Sequence, residues 1–211
     1  MKPMAITGLV LLAILAGVAF VAKDQLMGKR PTVLGTSVRA DPLHPVIFTL
    51  QINDQQIAAQ RSKALNDGGE APYKNRAQTA FDIDLTWIEL LTQNSYRAQI
   101  SVEGAQLSRF DAKGSHADLG LALGPNGALE ITTSHPMRLQ YLRQGKDDLI
   151  TPEMDIPLVL AKTCADPIAK SDPQQGEMAL WLDENTRARE TAKRAEFIAN
   201  NPDYRAPDPC A

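Results

Sequence analysis

His135-Pro136-Met137 is the sharpest local candidate for chemistry in the chain. An imidazole and a thioether two positions apart on a strand are ligands that suit copper(I) outside the cytoplasm. Such a site needs further soft ligands upstream. His116 stands there, but no methionine falls between Met27 and Met137. The expectation is therefore a histidine at a loop edge and a methionine in the core. His44 completes a set of three histidines, none in an HExxH, HxH or CxxH arrangement. A zinc centre needs three or four converging ligands. No metal site and no cofactor are expected, with His135 and Met137 the residues that would hold a metal.

Asp82 and Asp84 share one face of an alternating segment, ~6.5–7 Å apart at strand spacing. Paired carboxylates do acid–base work or bind cations, but on a half-buried strand that face is ordinarily solvated. Ser115-His116-Ala117-Asp118 contains triad residue types, yet sequence adjacency is not triad geometry. These four positions, Asp82, Asp84, Ser115 and His116, are the ones a hydrolase with a non-standard site would use. Asn66-Asp67-Gly68-Gly69-Glu70 is oxygen-rich but lacks the D-x-D-x-D-G frame of a calcium loop. G-x-S-x-G, P-loop and dinucleotide motifs are absent from the sequence. A net charge of −3 and the lack of long Lys/Arg runs argue against nucleic acid. Aromatic residues at 5% leave few stacking platforms for sugars or bases. No catalytic residues are assigned.

Cys164 and Cys210 are the two cysteines. An even count behind an export signal predicts a disulfide. Closing a loop of about 47 residues is worth roughly 4 kcal/mol in the chain-entropy model. Cys210 sits in a Pro-rich tail, NPDYRAPDPCA, which would otherwise fray. The spacing is not CxxC, so redox catalysis is not indicated.

The elements that would position these residues read as a mainly β body over 32–182. Val46, Phe48, Leu50 and Ile52 alternate with Ile47, Thr49, Gln51 and Asn53, and period-2 alternation marks a strand. Asn53-Asp54 turns into Gln56-Ile57, and 62–78 reads as a long polar loop. Phe81, Ile83, Leu85 and Trp87 share a face, and Tyr96, Ala98, Ile100 and Val102 follow a Gln93-Asn94-Ser95 turn. Leu119, Leu121 and Leu123 enter Gly124-Pro125-Asn126-Gly127, with Pro125 and Asn126 as the central pair, and leave through Leu129 and Ile131. Further strands are expected at 138–142, 155–161 and 177–182. The fold class is an antiparallel β-sandwich or barrel-like domain with one C-terminal α-helix. That helix spans about 184–199 within a 183–211 segment, capped by Asp183 or Asn185. Its stripe of Ala188, Ala192, Ala195, Ala199 and Ile198 is expected to dock on the body, and Glu190 to pair with Arg194.

Residues 4–22 carry no charge. As a helix at ~1.5 Å per residue they span about 28 Å, close to the hydrocarbon core of a bilayer. The segment 1–22 is read as an uncleaved anchor or a cleaved signal, and 23–31 as a linker. The positive charges after it, Lys23, Lys29 and Arg30, favour a cytoplasmic body. The cysteine pair and the β-rich body favour the exterior, as does the insensitivity of long domains to nearby charge. The body is placed outside the cytoplasmic membrane, periplasmic if bacterial. The functional expectation is a membrane-anchored accessory protein, a non-enzymatic interaction module for a membrane or envelope protein. Its partners are the bilayer through 4–22 and that unidentified protein, with no nucleic acid. The alternatives are a small-ligand or metal-binding domain and an envelope hydrolase.

Overall fold

A computed structural model describes residues 31–53, 55–60, 73–76, 80–109, 116–180 and 182–210. The expected apolar segment 4–22, most of the linker and of the 62–78 loop, and Ser115 lie outside them. No helix among the described residues is long and apolar enough to cross a membrane.

The alternating segments pair into two five-stranded sheets. One holds β4 (Tyr73–Arg76), β1 (Pro31–Ala40), β7 (His116–Leu123), β8 (Ala128–Thr133) and β9 (Leu158–Cys164), in that order. The other holds β10 (Asp166–Pro167), β6 (Ser95–Glu103), β5 (Ala80–Glu89), β2 (Val46–Ile52) and β3 (Gln55–Gln60). Among the described residues all strand pairings are antiparallel except β1 with β7, which is parallel. The class is therefore mainly β and antiparallel-rich rather than wholly antiparallel.

One buried cluster draws on both sheets. Leu34, Leu119, Leu121, Leu129 and Ile131 come from the first, and Phe48, Leu50, Phe81, Leu85 and Trp87 from the second. Full burial of such side chains is worth ~1.5–3 kcal/mol each. The expected β5–β6 hairpin is present, with Trp87 opposite Tyr96 and their ring centroids 5.6 Å apart. The β7–β8 hairpin is present too, but its turn is built differently. Asn126 (φ 54°) and Gly127 (φ 82°) are both left-handed, and Ala128 N–H donates to Pro125 O. Proline cannot adopt positive φ, so Asn-Gly forms the central pair, the preference of a type I′ turn.

One expected strand is a helix, and another is helical over its first half. Residues 138–142 fall in α1 (Pro136–Gln144), which His135 caps and which ends at Gly145 in the left-handed region. A proline at the first helical position and a glycine just past the last outweigh a weak alternation. Residues 177–179 fall in α2 (Pro173–Ala179), whose Met178 packs with Ile47, Ile88 and Leu90 on the outer face of the second sheet. That cover explains why β5 loses its alternation after Leu85. The strand expected at 155–161 lies three residues later, as β9, after a single 3-10 turn at Pro152–Asp155. A strand at Tyr73–Arg76 interrupts the expected 62–78 loop.

The C-terminal helix, α3, runs Glu184–Asn200 with Asp183 as its cap, Oδ1 accepting from Thr186 N at 2.6 Å. Its alanines and Ile198 face solvent instead of the body. The covered face is Thr186, Glu190 and Phe197, spaced by one and then two helical turns. Glu190 pairs with Arg189 and Lys193, not with Arg194.

Candidate functional site

A cleft of about 460 Å³ opens where the C-terminal tail crosses the first sheet. Its floor follows from strand register. Arg39 stands beside Ala122, Ala122 beside Glu130, and Glu130 beside Lys162, one row across four strands. The neighbouring row is Ser37, Gly120, Thr132 and Val159. Because Leu119, Leu121, Leu129 and Ile131 turn to the core, these rows occupy the outer face, where the middle strand β7 carries only Gly120 and Ala122.

Four ties hold the tail as the cleft's wall. The Phe197 and Tyr204 rings meet edge to face at 5.0 Å, joining α3 to the tail. Tyr204 Oη donates to Asp41 Oδ2 at 2.6 Å, while Asp41 Oδ1 accepts from Leu43 N at 2.8 Å. Asn126 Nδ2 donates to Asp208 Oδ2 at 2.6 Å. Cys164 and Cys210 stand at disulfide-bonding distance, their Cα atoms 5.7 Å apart. Burial, and then the Asp41 carboxylate, push the Tyr204 phenol up to about 12. The Asn126 end is itself anchored, its backbone N–H donating at 3.0 Å to the buried Glu89, which also accepts from Thr92. Charges in the cleft are largely matched. Lys162 Nζ lies 2.7 Å from Glu130 Oε2, and Asp41 and Asp208 accept hydrogen bonds from neutral donors. Arg39, exposed and lining the cleft, has no ion pair among the described residues.

The other expected residues are elsewhere and separate. His135 is not on a strand: its Nδ1 accepts from Met137 N at 3.3 Å as the cap of α1. Met137 is 38% exposed rather than in the core. No group of three or more His, Cys, Asp or Glu among the described residues is placed to hold a metal ion. Asp84 forms a bidentate pair with Arg97 and accepts from Gln99 at 3.0 Å, and the Arg97 hydrogen bonds hold its carboxyl below the usual range. Asp82 lies exposed on the same face. Asp118 accepts from the Ser134 backbone at 2.9 Å and from its hydroxyl, fastening β7 to the start of α1. His44 sits in the β1–β2 turn, its N–H donating to Asp41 O at 2.9 Å.

A second surface was not foreseen. Of seven large apolar residues exposed in the described structure, five fall between 137 and 159: Met137, Leu149, Ile156, Leu158 and Val159. They lie on α1, on a further 3-10 turn at Asp147–Leu149, just after the turn at Pro152–Asp155, and on β9, the last strand of its sheet. Arg138 Nε to Asp155 Oδ1, at 2.8 Å, ties α1 to the turn before β9. The usable signal was Ile156-Pro157-Leu158-Val159-Leu160, an apolar run without polar alternation. No sequence signal links Tyr204 to Asp41, 163 positions away.

No family model, no curated protein and no solved structure matches this chain.

Proposed function

We propose that the chain is a membrane-anchored, extracytoplasmic accessory protein whose β-sandwich is a non-enzymatic interaction module for a membrane or envelope complex. Residues 4–22 hold it to the bilayer. The observation that carries this reading is the concentration of exposed apolar residues around β9. Single exposed apolar residues are ordinary, whereas a cluster marks a contact surface. Ile156 is 65% exposed, and β9 is the end strand of its sheet, unpaired on its far edge among the described residues. The disulfide pair suits an oxidising compartment.

The test is crosslinking in native membranes, followed by isolation of the full-length, tagged chain. A stoichiometric membrane-complex partner is expected with the native sequence and is lost with Ile156→Asp/Val159→Asp. Recovery of the chain alone, or of the same partner with the variant, would overturn the reading. A second reading, small-ligand binding, moves from His135 and Met137 to the cleft beside the tail.

A further inference from the structure

We infer that the cleft under the C-terminal tail binds a small apolar monocarboxylate, its head paired with Arg39 and its body on the floor and the prolines of the tail. This stands apart from the partner reading, since the ligand cleft and the apolar surface near β9 are tested separately.

The cleft volume, about 460 Å³, falls within the ~300–1,000 Å³ of small-molecule sites. Ala122 on the floor and Pro42, Pro207 and Pro209 at the sides give the lining its apolar surface. Nearby backbone groups are already used. Asp41 N donates to Leu123 O at 2.8 Å and Gly124 N to Ala128 O at 2.8 Å. Ala128 N donates to Pro125 O. A peptide would find few backbone partners there, and an apolar body needs none.

The head group follows from the charges. Lys162 is occupied by Glu130, which leaves Arg39 as the lining cation without a partner among the described residues. A guanidinium fork matches a carboxylate in two parallel hydrogen bonds. Asp41, two residues along, and Glu130, in the same cross-strand row, disfavour a doubly charged phosphate and leave a singly charged head as the better match. The tail wall is held by Tyr204, Asp208 and Cys210, so the site depends on a segment that sequence alone would leave frayed.

The test is calorimetric titration of the full-length chain in lipid nanodiscs, with empty discs as the blank. The probes are cyclohexanecarboxylate and its uncharged counterpart, cyclohexylmethanol. Saturable binding of the acid is expected, with the alcohol about tenfold weaker or more, as a charge-assisted pair implies. Arg39→Gln, an exposed position that leaves the core intact, should weaken the acid by a similar factor and leave the alcohol unchanged. Cys210→Ser should weaken both probes by loosening the wall. No saturable binding, equal binding of acid and alcohol, or an Arg39→Gln variant with native affinity would each overturn the assignment. Native affinity in Cys210→Ser would remove the tail from the site.

Discussion

Replacing Cys210 with serine in the full-length chain cuts the tie between the tail and the end of β9. The two cysteines are 46 positions apart, so a bridge between them removes roughly 4 kcal/mol of loop entropy from the unfolded chain. The folded variant keeps the tail on two side-chain hydrogen bonds, Tyr204 to Asp41 and Asn126 to Asp208. Each is worth about 1–3 kcal/mol, since the acceptors are charged. The tail should therefore stay on the sheet at Tyr204 and Asp208 with its Cys210 end loosened, while the global transition moves. With a urea slope of ~2 kcal/mol/M, the midpoint should fall by about 2 M at constant slope. Equilibrium urea unfolding without reductant, followed by tryptophan fluorescence, reads this directly. Thiol titration of the denatured native chain should find no free thiol. A midpoint shift of only a few tenths of 1 M, or two titratable thiols in the native chain, would refute the reasoning.

Tyr204 makes the tail sensitive to alkali. Its folded pKa, about 12, lies above the ordinary tyrosine value of 10, so the unfolded chain loses that proton first. The stabilisation is complete below pH ~10 and lost as pH rises towards ~12, about 1–2 kcal/mol after solvent screening. Urea midpoints across that window should fall more steeply for the native chain than for Tyr204→Phe, and parallel slopes would contradict the assignment. Gly127→Ala should cost about 1–3 kcal/mol, because the residue has φ 82° and an added Cβ would lie 2.7 Å from Tyr96 Cδ1. A thermal melt matching the native one would count against the Asn-Gly turn. Met178→Ala should cost about 2–5 kcal/mol by opening the cover over Ile47, Ile88 and Leu90, with faster amide exchange at the end of β5. Unchanged exchange there would mean that α2 does not seal that face.

The alternating strands were legible because one face of each meets a core and the other meets water. That condition holds for the second half of β2, the first half of β5, and for β6 and β7. It fails where a second layer covers the outer face, as Met178 does over Ile88, and where a strand lies open at an edge, as in β9. β1 escaped notice because Gly35, Thr36 and Ser37 interrupt its apolar pattern and its partner β7 lies some 80 positions on. The capping chemistry of α1, His135-Pro136 at one end and Gly145 at the other, was readable but was outweighed by an apparent alternation. For α3 the cap was read correctly and the docking face was not. Its alanine stripe is exposed, and the helix instead turns Phe197 to Tyr204. The cysteine pair followed from composition. The cleft did not, because it forms where a terminal tail meets a cross-strand row, and only strand register brings Arg39, Glu130 and Lys162 together.

The most direct test of the interaction reading is site-specific photo-crosslinking of the full-length chain in native membranes. One crosslinking residue replaces Ile156 and, in a parallel sample, another replaces Gln99 on the outer face of the second sheet. A single discrete protein adduct from position 156, absent from position 99 and formed on the extracytoplasmic side by protease accessibility, is the predicted result. Identical patterns from both positions, or no adduct from either, would contradict the account.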